Sequence, residues 1–131
     1  MRGGIRDGKE GGRGRGLGAD AVGLGASVII AGGCIACMQW HVGQCVTGIA
    51  TQDPEHEERF HVHVEAQNIH RFLESVRWQI ASITQGLVHT DVRQLSRDDL
   101  VAVTPDAAAI TGLPYAPEFR ENRVPEVVKA S

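Results

Sequence analysis

The sequence predicts an α/β fold, with loops and a strand crowded into the first part and helices filling the rest. Twelve of the 16 glycines precede Cys34, so that region is built of turns and close backbone approaches. Residues 19–25 form a short apolar run closed by glycine, which reads as a buried strand. Further on, Ile69, Phe72, Leu73, Val76, Ile80, Ile83 and Leu87 recur in steps of three and four, which fixes one helical stripe.

Taken in order, Gly3-Gly4-Ile5-Arg6-Asp7-Gly8 is a turn. Residues 9–16 read as a weakened helix, because Gly11, Gly12, Gly14 and Gly16 each cost about 1 kcal/mol against alanine. Alanine at Gly12, Gly14 and Gly16 is therefore expected to stabilise it. The strand follows, then a short apolar helix over 27–31 that Gly32-Gly33 ends. Residues 34–49 form an irregular loop holding three cysteines, Trp40 and His41. Asp53-Pro54-Glu55 starts a helix, with Asp as N-cap, Pro in the first position and acid in the first turn. The long amphipathic helix should run over 64–87, with Gly86 and His89-Thr90-Asp91 marking its end. Ser96-Arg97-Asp98-Asp99 has capping-box form, with the shorter Asp in third place. Thr104-Pro105-Asp106 opens another short helix, which Gly112 and Pro114 close. Beyond Tyr115 the chain is charged and proline-punctuated, and is expected to lie extended on a surface. There is no internal repeat.

A length of 131 residues suits one small domain, and a net charge of −3 gives no bulk pull toward nucleic acid or membrane. The longest apolar run, 19–38, is broken by Asp20 and several glycines, which makes it a poor membrane span. Arg2, Arg6 and Lys9 have no apolar segment behind them of the kind a signal peptide carries. The expected location is the cytoplasm, where cysteines serve as thiols or metal ligands rather than disulfides.

Adjacent glycines in 3–8 let backbone N–H groups approach an anion, with Arg6 nearby to balance charge. Leu24-Gly25-Ala26-Ser27 is a second place of this kind, a strand end followed by a helix N-terminus. In a barrel of parallel strands and helices, two such loops on the last two strands make the common phosphate site. The cysteines allow three readings. Cys34, Cys37 and Cys45 can be iron–sulfur ligands. With His41 they give a C-x2-C-x3-H-x3-C set suited to zinc in a small interaction or nucleic-acid-binding module. They can also be plain buried thiols. Gly12-Arg13-Gly14-Arg15-Gly16 resembles an RNA-binding RGG segment, but it has no interleaved aromatic, and a weakened helix is the better reading. His61 and His63 read as solvated residues at a helix entrance rather than metal ligands. Trp78 lies off the apolar stripe and is expected to face a partner surface.

Several segments follow one another in a recognisable order. They are Gly3-Gly4-Ile5-Arg6-Asp7-Gly8, Leu17-Gly18-Ala19-Asp20-Ala21-Val22, a small-apolar run into Gly33-Cys34, His41 with Cys45, and Gly48-Ile49-Ala50-Thr51-Gln52-Asp53. In this order they resemble the end of the FMN-binding domain of glutamate synthase large subunits. The cluster loop Cys34-Ile35-Ala36-Cys37-Met38-Gln39 is similar to that of the archaeal-type and N-methylglutamate synthase branch. The similarity runs on through the long helix to Leu95-Ser96-Arg97-Asp98-Asp99-Leu100.

The resemblance implies the C-terminal fragment of a TIM (β/α)8 barrel, its last strands, followed by a helical extension. Residues 1–53 would end the FMN-binding barrel and carry the cluster loop. Residues 54–103 would be the extension, and 104–131 a short helix and tail. It implies an oxidoreductase that forms glutamate or N-methylglutamate from 2-oxoglutarate by reductive amination, within a complex of other subunits or domains. Gly3, Gly4, Ile5 and Arg6 would belong to the phosphate loop after the seventh strand, and Leu24, Gly25 and Ala26 to the loop after the eighth. Cys34 and Cys45, with Cys37 as a substitute, would hold a 3Fe-4S or 4Fe-4S cluster. The family's cluster motif is C-x5-C-x4-C, and its middle cysteine falls on Trp40, which cannot ligate iron. A segment beginning at the seventh strand is expected to be truncated and inactive alone.

Overall fold

The computed structural model of the chain describes residues 4–117. The expectations for Gly3 and for the tail beyond 117 lie outside them. Helix α1 spans Gly8–Gly16. Asp7, in extended conformation, caps it by accepting the Glu10 N–H at 2.9 Å. Five glycines in nine residues should cost such a helix about 4–5 kcal/mol against alanine. What offsets this is contact with helix α4, Val62–Gly86. A Cβ on Gly8 would stand 2.5 Å from Gln79 Cβ and 2.7 Å from the Val76 carbonyl oxygen. One on Gly16 would stand 2.9 Å from Leu100 Cδ1 and 3.2 Å from the Ser96 carbonyl oxygen. At Gly8 glycine is a condition of packing, whereas an alanine at Gly16 would press on the end of the Leu100 side chain, which can shift, and on the Ser96 carbonyl oxygen.

Residues 19–25 make no strand, and among the described residues there is none. Gly23 alone sits at a bridge position, and the segment is half-buried to exposed. A parallel strand is completed by neighbours on either side, and the described segments supply no ladder to join.

Helix α2, Ala26–Ala31, lies against α4, where the place of a Gly32 Cβ is 3.0 Å from Ile69 Cδ1. Residues 34–49 form the irregular loop expected, with one 3-10 turn at Trp40–Val42. Helix α3, Pro54–Glu57, is capped by Asp53, which accepts the Glu55 N–H at 3.0 Å. The long helix begins two residues before the expected start and ends within one of the expected end. Its stripe is half-buried for the most part, with Leu73 and Leu87 exposed.

Two 3-10 turns follow, Val92–Gln94 and Arg97–Asp99, each with a full capping box, from Asp91 with Gln94 and from Ser96 with Asp99. His89 Nε2 meets Asp99 Oδ1 at 2.9 Å and ties the end of α4 to the second turn. Helix α5, Pro105–Thr111, is capped by Thr104 and ended by Gly112 in left-handed conformation. A single parallel bridge joins Ala102 to Tyr115. The core is thin: Cys45, Thr84, Leu95 and Ala102 are its buried members besides glycines among the described residues.

Candidate functional site

The two glycine loops stand side by side. Ser27 Oγ donates to the Ile5 carbonyl at 3.0 Å and joins them directly. Ile5 and Leu24, one from each loop, line a common open cavity of about 270 Å³ with Asp7, Arg15, Val76 and Ile80. Gly4 takes a left-handed φ of +69°, and neither it nor Gly25 has any atom within 4 Å of a virtual Cβ. Gly25 leads into α2 without any side-chain cap. The N–H groups of Ala26 and Ser27, the first two of that helix, have no acceptor among the described residues. The structure thus joins the two loops through Ile5 and Ser27 and sets Ile5 and Leu24 on one cavity, with Gly4, Gly25 and Ala26 next to them in the chain.

Arg6 is engaged elsewhere. Its guanidinium lies 2.6 Å from Glu10 Oε1, and its backbone N–H donates to Glu10 Oε2 at 2.6 Å. These bonds hold the Glu10 carboxyl below its usual range and raise the Arg6 guanidinium. The loop's charge is balanced within the chain, and Arg6 is exposed beside it. Two bracing residues, Ser27 and Gln79, escape a reading of the sequence. Gly8 N–H donates to Gln79 Oε1 at 2.8 Å across 71 residues, and no local pattern marks such a bond. Ser27 lies in the Leu24-Gly25-Ala26-Ser27 segment read as a second anion-binding place, but nothing local marks its side chain as a bond to Ile5 across 22 residues.

The cysteines do not converge. Among the described residues no three His, Cys, Asp or Glu side chains are grouped to hold a metal ion. That applies equally to the iron–sulfur set of Cys34, Cys37 and Cys45 and to the zinc set that adds His41. Cys34 and Cys37 are half-buried, and the Cys34 thiol accepts the Ala36 N–H at 3.3 Å. Ala36 and Met38 both take left-handed φ, +55° and +60°, which bends the loop between Cys34 and Trp40. Trp40 is 62% exposed. Cys45 is buried against Thr47, with sulfur and hydroxyl 3.4 Å apart. That contact, together with the Ala50 backbone N–H, brings its thiol down to about 7 despite burial. His61 and His63 are exposed at the α4 entrance as expected, and Trp78 is exposed on that helix. No described helix is long and apolar enough to cross a membrane.

Comparison with known proteins gives one answer. The chain is 29% identical over 132 aligned residues to a glutamate synthase large subunit-like protein of Rhizobium meliloti (strain 1021), covering 88% of this chain and 30% of that protein. It is 35% identical over 87 residues to the archaeal-type glutamate synthase [NADPH] of Thermotoga neapolitana, covering 66% of this chain and 17% of that one. With the ferredoxin-dependent glutamate synthase of Cyanidium caldarium it shares 41% over 58 residues, 44% of this chain and 4% of that one. The chain therefore spans under a third of the length of these relatives. No solved structure matches it significantly. The family model described as "Conserved region in glutamate synthase" matches residues 1–90, more than half of the sequence, and the chain belongs to that family.

Proposed function

We propose that this chain supplies the phosphate-holding end of an FMN-binding TIM barrel in a glutamate synthase-type oxidoreductase, with a helical extension that braces it. The carrying observation is the Ser27–Ile5 bond, which sets the two glycine loops side by side, with no acceptor for the Ala26 and Ser27 N–H groups among the described residues. Bound flavin would supply the reducing equivalents for reductive amination of 2-oxoglutarate to glutamate or its N-methyl form. Within that reading Gly4, Ile5, Leu24, Gly25 and Ala26 frame the phosphate, with Gly3 preceding them. Arg6 stands beside them with its charge paired to Glu10. The rest of the barrel and the substrate site come from other domains or subunits of a cytoplasmic complex.

The cysteine loop does not fit the cluster that the family carries. Trp40 stands where the middle ligand belongs, and Cys34, Cys37 and Cys45 are not gathered, so no electron path through this loop is assigned.

A few backbone hydrogen bonds at about 1 kcal/mol net each cannot offset the cost of association, about 4 kcal/mol or more. The isolated chain is therefore expected to bind FMN weakly and to form no glutamate. The test assembles the chain with a polypeptide carrying the preceding barrel of a relative and titrates FMN and riboflavin by fluorescence quenching. FMN should bind well ahead of riboflavin, since only FMN carries a phosphate. Equal affinities would remove the phosphate site, and tight FMN binding by the isolated chain would overturn the division of labour.

A further inference from the structure

Three side chains hold the backbone between Ile5 and Gly8. Ser27 donates to the Ile5 carbonyl, Glu10 accepts the Arg6 N–H, and Gln79 accepts the Gly8 N–H. The first two lie close to the loop in sequence. Gln79 alone comes from the extension, from the face of α4 that also carries Val76, Ile80 and Ile83. Gly8 is the first residue of α1, where a backbone N–H has no acceptor within its own helix. The Gln79 carboxamide fills that place, and its nitrogen donates to Ser75 Oγ at 3.5 Å, which turns the oxygen toward Gly8. The fit is close on both sides, because a Cβ on Gly8 would meet Gln79 Cβ at 2.5 Å and Ile80 N at 3.1 Å.

We infer that Gln79 is a positioning residue for the phosphate loop, the point at which the helical extension sets where that loop presents its backbone to a phosphomonoester. This rests on the phosphate reading above. The role is indirect: Gln79 fixes the end of the loop, and Gly4, Ile5, Ala26 and Ser27 would make the contact.

The experiment uses the full chain, assembled as above with a polypeptide carrying the preceding barrel, with Gln79→Met, which keeps the volume but removes the acceptor, and Gln79→Glu, which keeps an acceptor. Amide exchange is read at Gly8, and inorganic phosphate is titrated at constant ionic strength while backbone amide shifts are followed. Gln79→Met should speed Gly8 exchange about five- to tenfold, as loss of one net hydrogen bond implies, and leave the amides of 80–86 unchanged. Gln79→Glu should keep Gly8 protected. Phosphate should shift the amides of Gly4, Ile5, Ala26 and Ser27 in the natural chain, and Gln79→Met should raise the midpoint about five- to tenfold. Gly8 exchange that Gln79→Met leaves unchanged would overturn the inference. So would equal phosphate midpoints, which would leave Gln79 as a helix brace and the phosphate reading intact. Absence of phosphate shifts in the natural chain would overturn both.

Discussion

Asp99 serves two partners at once. Its carboxylate accepts the Ser96 N–H at 2.9 Å, which closes the capping box, and it meets His89 Nε2 at the same distance. The Ser96 backbone bond, then His89, hold its carboxyl below the usual range. A group depressed in the folded state stabilises the fold above its unfolded value. That contribution is lost as pH falls through the folded value, because the unfolded chain binds the proton first. Melting temperature should therefore drop more steeply below about pH 4 in the natural chain than in Asp99→Asn, whose curve starts lower and runs flatter. Parallel curves would show that the pairing carries no linkage. At Trp40, the indole at the middle ligand position predicts that Trp40→Cys raises the iron and sulfide retained after anaerobic reconstitution. Equal, stoichiometric cluster in both proteins would make Cys37 a working ligand. The caps at Asp53, Ser96 and Thr104 were legible in the sequence because each cap and its N–H lie within three residues. The engagement of Arg6 by Glu10 is equally local, four residues apart, although the glycines around Arg6 predict an anion there instead.

Helix α1 shows how propensity and packing divide at single positions. Gly12 faces Ile83 at 3.8 Å from its virtual Cβ, an ordinary contact, whereas Gly16 faces Leu100 at 2.9 Å and Gly8 faces backbone at 2.7 Å. Gly12→Ala should stabilise the fold by up to about 1 kcal/mol. Gly8→Ala should destabilise it by about 1–3 kcal/mol, since backbone cannot move aside as a side chain can, and Gly16→Ala, which meets the Leu100 side chain, should fall between the two. Chemical denaturation of the three variants checks the order. The sequence registered the cost of these glycines but not their purpose, because the atoms that require them lie in residues 76–100. The long helix, by contrast, was legible almost to its ends, since its stripe repeats over about five turns of one segment and depends on no distant partner. The apolar run at 19–25 predicts a strand, but a strand exists only with its neighbours, and the described residues form none there.

Across the molecule, apolar surface is left open along one stretch of chain. Ile29, Ile30, Ile35, Met38, Trp40 and Val42 are all exposed, and Trp78 is 67% exposed on α4. An open apolar surface of this kind marks a place for a further segment or subunit to cover, and the chain spans under a third of the length of these relatives. Both indoles should emit as solvated tryptophans and be quenched by iodide, and the chain should bind a hydrophobic dye. Assembly with a polypeptide carrying the preceding barrel should shift Trp40 emission to shorter wavelength and release the dye. A Trp78→Phe variant isolates the Trp40 signal, and no shift in that variant would place the partner surface elsewhere.

The bond between Gly8 and Gln79 also sets an order of events during synthesis. A nine-residue segment with five glycines is far below the length and propensity at which a helix stands alone in water. Residues 8–16 must therefore wait, unstructured, while the ribosome adds the chain through Gln79 and Ile83, and they coil only when that later helix emerges to receive them. Ribosome-stalled chains ending before Val76 should be cleaved by protease at Lys9 or Arg13, and chains ending well beyond Gly86 should resist. The loop ahead of Gly8 would then take its final shape only after the helix that carries its partner, 71 residues further on, has emerged.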